Sequence, residues 1–195
     1  MAGARSSAMS AGLARNWWAI GLRGIAAVAF GLCVLTLPPP TVASLVLLFA
    51  AYVVADGAFA IVAGARAANH PERWWTLILE GVTNLAAAGG VLVWAAIAVV
   101  PLLSLASAWA IVTAAPMLAA AHRFSGVYGR WLLGFGGGVS AGWGALAAAL
   151  APSSDGDLRT TELWLVAYAL VFGVTLLVLA SGLRRRHAEP EQRSA

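Results

Sequence analysis

The sequence predicts an all-α membrane protein, with six transmembrane helices arranged as three parallel helical-hairpin repeats. Three observations carry this reading. Hydrophobic residues make up 61% of the 195 positions and charged residues 10%, against about 25% charged in an ordinary soluble domain. Apolar runs of about 20 residues, the length that spans a bilayer as a helix, recur along the chain. The third observation is an internal period: Trp17, Trp74 and Trp131 lie 57 residues apart, as do Gly24, Gly81 and Gly138, and Gly31, Ala88 and Ala145. Matched positions at one interval are the signature of a repeat.

Residues 1–15 are small and polar and form a cytoplasmic N-terminal tail. The membrane domain covers 16–186. Its first span, 17–37, is about 31 Å long as a helix, close to the thickness of the hydrocarbon core. Pro38, Pro39 and Pro40 end it by removing amide donors. Span 2 follows at once, to Gly64, so the pair forms an antiparallel hairpin. The polar stretch ARAANHPER leads to span 3 at 74–94, and span 4 covers 98–121. HRFSGVYGR precedes span 5 at 131–150, and PSSDGDLRTTE leads into span 6 at 162–183. The hairpins are therefore 17–64, 74–121 and 131–183, with a cytoplasmic tail at 187–195. Tyr52 matches Trp109 at the same interval, and Tyr168 and Gly173 match Tyr52 and Gly57 once two residues are added in the longer loop. Units of two spans all enter the membrane in the same sense, so the repeats are parallel rather than inverted.

Every one of the 12 basic residues is an arginine. They sit between the apolar runs, which is topogenic charge rather than a nucleic-acid footprint. Arg5, Arg15, Arg66, Arg73, Arg123, Arg130, Arg184, Arg185, Arg186 and Arg193 fall on one side, while Arg159 stands alone on the other beside Asp155, Asp157 and Glu162. The positive-inside rule puts both termini in the cytoplasm and the protein in the cell membrane. Trp17, Trp18, Trp74, Trp75 and Trp131 then form an inner aromatic belt, with Trp94 and Trp164 near the outer interface. The first apolar run is too long for a signal-peptide core and reads as a retained span. Cys33, the single cysteine, reads as a small packing residue.

Lipid provides no hydrophobic drive between helices, so close packing falls to small residues. Gly24 and Gly31, Gly57 and Gly64, and Gly81 and Ala88 each place two small side chains on one helix face. Span 5 continues the pattern through Gly134, Gly138 and Gly142, with a second stripe at Gly136, Ser140, Gly144 and Ala148, which suggests a central helix. Such stripes serve packing within the chain first and a homo-oligomer second.

Three ionisable residues lie inside spans. Arg23 and Glu80 are each about 9 Å from the inner start of their helices, and Asp56 is about 15 Å from the inner end of its own. Charges at that depth are costly unless they face one another. An arginine fork can serve two carboxylates, which then titrate as a coupled pair. In one reading Arg23 pins spans 2 and 3 together. In the other the cluster is a protonation site that responds to acid. The third copy offers Gly137 at the matching position, so the cluster is asymmetric.

No metalloprotease, nucleophile-elbow, Walker or paired-cysteine motif occurs, and His70, His122 and His187 lie outside the spans. The expectation is no enzyme, no metal, no cofactor, no nucleic acid and no defined small-molecule substrate; the partner is the bilayer. The stretches WWAIGLRGIAAVAFGLCVLTLP, LLFAAYVVADGAFAIVAGAR and RWWTLILEGVTNLAAAGGVLV, with their aromatic start, RG and DG pairs and spaced glycines, resemble the HdeD acid-resistance membrane proteins. That resemblance covers about residues 16–186. It implies six spans in the inner membrane and a non-enzymatic role in surviving acid or envelope stress. The chain departs from the pattern at Ala95, where Pro38 and Pro152 stand in the other copies, and in the uncharged span 5. A small proton-coupled transporter or channel built on Arg23, Asp56 and Glu80 is the alternative, followed by a packing subunit of a larger complex.

Overall fold

The computed structural model describes residues 16–36, 41–67, 74–97, 102–123, 127–150 and 158–192. Among the described residues all of the regular structure is helical: α1 (Trp17–Thr36), α2 (Val42–Ala67), α3 (Trp74–Ile97), α4 (Leu102–Arg123), α5 (Val127–Leu150) and α6 (Leu158–Gln192). The N-terminal tail, the triproline turn, the loop bearing His70 and the Asp155–Asp157 segment lie outside the described residues, as do the side chains of Trp74, Trp75 and Trp94.

Over the described residues four helices are long and apolar enough to cross a membrane: α1, α2 over Val42–Arg66, α4 over Leu102–Ala119 and α6 over Leu158–Arg185. In α3 the described apolar stretch is Leu77–Val93. Sequence patterning gave α6 about 22 residues; the helix runs for 35, roughly 52 Å, and so extends well past a 30 Å hydrocarbon layer.

Local chemistry explains the ends and the isolated hydroxyls. Thr41 caps α2 reciprocally: Ser44 N–H donates to Thr41 Oγ1 at 3.2 Å, and Thr41 N–H donates to Ser44 Oγ at 2.9 Å. Thr36, Thr83, Ser107, Thr113, Thr175 and Ser181 each donate to a carbonyl three or four residues earlier. In an apolar medium this is how a lone hydroxyl is satisfied. At the end of α1 that carries its N-terminus, Arg66 of α2 lies over the Trp18 ring at 4.5 Å and Arg184 of α6 over Trp17 at 5.1 Å. These cation–π contacts gather the ends of three helices at one level.

The most extensive contacts are α2 with α3, α4 with α5, and α6 with α1; α1 with α2, α3 with α4, and α5 with α6 touch less. Each even-numbered helix thus grips the odd-numbered helix that follows it, and α6 closes the ring on α1. Glycine makes these crossings possible. A Cβ on Gly24 would lie 3.0 Å from the Gly173 carbonyl oxygen, and one on Gly81 2.6 Å from that of Gly57. Gly57 and Gly64 are buried with them, and Gly31 packs on Leu170 and Ala169.

At α4–α5 the structure corrects the sequence reading. Gly137, not Gly138, meets Leu118, and Gly144, not Ala145, meets the Ser107 carbonyl and Ile111. The third copy is therefore displaced by one residue from the 57-residue count, and Trp131 corresponds to Trp18 rather than Trp17. Gly136, not Gly137, corresponds to Arg23. One residue is 100° of helix rotation, enough to turn Gly138 and Gly142 away from the bundle, where a Cβ would meet nothing within 4 Å. Gly134 is only loosely engaged, 3.9 Å from Ala121. Helix α5 is not central, and its Gly138–Gly142 face is exposed. Cys33 is exposed as well, not packed.

Candidate functional site: a buried ion-pair network

Arg23 on α1, Asp56 on α2 and Glu80 on α3 come together. Arg23 Nε donates to Asp56 Oδ1 at 2.6 Å and Nη2 donates to Oδ2 at 2.9 Å, a two-point fork. The same Nη2 reaches Glu80 Oε1 at 2.7 Å. Asp56 is 1% exposed, whereas the side chains of Arg23 and Glu80 retain 16% and 18%. With all three ionised the formal sum is −1, and the carboxylate sealed from solvent is the one that takes the fork.

The network extends beyond the charges. One turn along α3 from Glu80, Asn84 Nδ2 donates to Asp56 Oδ2 at 2.6 Å, and Asn84 Oδ1 accepts from Trp109 Nε1 of α4 at 3.2 Å. Indole nitrogen is a donor only, so the carboxamide orientation is fixed by its neighbours. Asn84 and Trp109 were missed as partners at the sequence level. The available signal was depth: Asn84 lies one turn beyond Glu80, hence on the same face and close to the level of Asp56. Replacing Asn84 by leucine is expected to destabilise the protein by about 1–3 kcal/mol, since it strands the buried Trp109 N–H and removes a donor from Asp56. Thermal unfolding in detergent measures it.

Around the network the rings of Tyr52 on α2, Trp109 on α4 and Tyr168 on α6 meet edge-on. Their centroids are 5.5 Å apart for Tyr52–Trp109 and 6.2 Å for Trp109–Tyr168. Phe30 stacks on Tyr52 at 5.2 Å and Trp143 on Tyr168 at 4.5 Å; Ala87 occupies the corresponding place beside Trp109. Toward the other end of the bundle, Trp143 Nε1 donates to the Trp164 carbonyl at 3.1 Å. There Arg159 pairs with the buried Glu162 at 3.1 Å.

Chemically, the cluster is a set of carboxylates whose lone pairs are largely taken by guanidinium and amide donors. Among the described residues no group of three or more His, Cys, Asp or Glu is placed to hold a metal. His122 is exposed on α4. No curated protein and no solved structure matches the chain. Residues 22–89, the segment that holds Arg23, Asp56, Glu80 and Asn84, match the family described as a short repeat of unknown function (DUF308).

Proposed function

We propose that this is a non-enzymatic, six-span protein of the cytoplasmic membrane, of the HdeD type, with both termini inside and a role in resistance to acid or envelope stress. Three parallel hairpins closed into a ring account for the equivalent glycine crossings at α1–α6, α2–α3 and α4–α5. Arginine placement supports the orientation. One observation carries the functional reading: a single half-buried arginine holds two carboxylates from two other helices, at a depth where unpaired charge is costly. Protonating both carboxyls changes the formal sum from −1 to +1 and removes both of Arg23's counter-charges. Acid therefore acts directly on the contact that joins α1, α2 and α3.

The test replaces Glu80 by Gln and Asp56 by Asn, and measures acid survival of the host together with the amount of protein in the membrane. Normal abundance with lost survival is the expected result. Lost abundance assigns the cluster a purely structural role, and no change in either measure overturns both readings. The Asp56–Asn84–Trp109 line favours the transporter alternative to the extent that it leads inward from the cluster. It ends, however, on an indole N–H, which does not relay a proton at ordinary pH, and the Ser107 and Thr113 hydroxyls donate to their own helices. Proton flux into reconstituted vesicles that disappears in E80Q would reverse this ranking.

A further inference from the structure

The three central aromatic residues occupy corresponding stations, and their polar groups are treated differently. Tyr168 Oη has Ser140 Oγ of α5 as its hydrogen-bond partner at 3.1 Å, with the Thr113 hydroxyl of α4 beside it. Trp109 Nε1 has Asn84 of α3, with Asp56 of α2 behind it. Shifting these positions by the repeat brings Ser140 and Asn84 onto Ala27, and Thr113 and Asp56 onto Phe172. At the first station both partner positions are thus apolar, and the buried Tyr52 hydroxyl has no hydrogen-bond partner among the described residues. Its ring contacts with Phe30 and Trp109 would be met equally by phenylalanine.

Asp56 lies one turn along α2 from Tyr52, on the same face. Its Oδ2 accepts from Arg23 Nη2 and Asn84 Nδ2, while Oδ1 accepts from Arg23 Nε alone, leaving one acceptor site unused. An unpartnered buried hydroxyl and an unfilled carboxylate site on one helix face need the same thing, a small molecule that both donates and accepts.

We propose that the first station is a binding site for a single water molecule, bridging Tyr52 Oη and Asp56 Oδ1. The water donates one hydrogen to Oδ1 and shares the second hydrogen bond with the phenol. Guanidinium and carboxamide hold on to their protons, so this water is the partner of Asp56 able to hand it one. The site does not depend on the stress-resistance reading and stands or falls separately from it.

X-ray hydroxyl-radical footprinting of the full-length protein in nanodiscs tests the proposal, because bound water is what makes a buried ring react. Tyr52 is expected to be labelled several-fold faster than Tyr168, which is equally buried but satisfied by protein. Ala27→Ser installs at the first station the hydroxyl that Ser140 provides at the third, and is expected to bring Tyr52 down to the Tyr168 rate. Equal labelling of the two tyrosines in the parent protein, or no change in A27S, overturns the proposal. Tyr52→Phe gives a reading independent of how A27S folds. A bridged hydroxyl predicts a fall in the unfolding midpoint of about 2–4 °C, whereas an unchanged or raised midpoint overturns it.

Discussion

Arg23→Ala is expected to be the most damaging single substitution in the chain, lowering stability by about 3–5 kcal/mol, the usual consequence of removing one partner from a buried ion pair. Two carboxylates lose their counter-charge together, one of them 1% exposed. Among the described side chains only Asn84 then remains to donate to Asp56. Arg23→Lys keeps the charge but cannot reproduce the fork to Asp56 while also meeting Glu80, so it is expected to fall between alanine and the parent. Exchanging all three charges for apolar residues of similar volume, R23M with D56L and E80M, is expected to recover much of the loss, because no ion is left to desolvate. Unfolding followed by tryptophan fluorescence in detergent, with membrane abundance beside it, distinguishes these outcomes. An R23A protein as stable as the parent would show that the network contributes nothing to holding α1 against α2 and α3.

Depth and residue type were enough to bring Arg23, Asp56 and Glu80 into one group before any coordinates, because charge inside a membrane has few places to go. The same logic was available for Asn84 and was weaker, since an amide can be satisfied by backbone, water or a side chain. Its real partners depend on which two helices flank α3, and that is a property of the ring closure rather than of any local pattern. The hydroxyls show the reverse. Thr113 and Thr175 look like fragments of a polar path in the sequence, yet each donates to its own helix, and only geometry distinguishes the two. Helix pairing was the least legible level. A short turn makes hairpin partners adjacent, but adjacency does not determine extent of contact, and the tight crossings lie between hairpins because that is where glycine meets backbone.

The slip of one residue in the third copy gives the second large prediction. A methyl group added at Gly81 would sit 2.5 Å from Ile61 Cγ1, 2.6 Å from the Gly57 carbonyl oxygen and 3.0 Å from the Ile61 amide nitrogen. The side chain can turn away; the backbone atoms cannot, so α2 and α3 must separate. Overpacking of this kind costs about 1–3 kcal/mol and sometimes more, and here it also displaces Glu80, the adjacent residue, from Arg23. Gly137→Ala meets Leu118 Cγ at 2.8 Å and its amide nitrogen at 3.2 Å, a clash borne mainly by a side chain, and should cost less. Gly138→Ala meets nothing within 4 Å and is expected to be neutral or to stabilise slightly through the better helix propensity of alanine, up to about 1 kcal/mol. Unfolding midpoints should therefore fall in the order G138A, G137A, G81A. Strict 57-residue spacing makes the opposite forecast for the third copy, with Gly138 as sensitive as Gly81, so one pair of alanine variants decides which residue faces the crossing. If G138A were the damaging one, the exposed glycine face of α5 would have to be an interface, since nothing among the described residues approaches it.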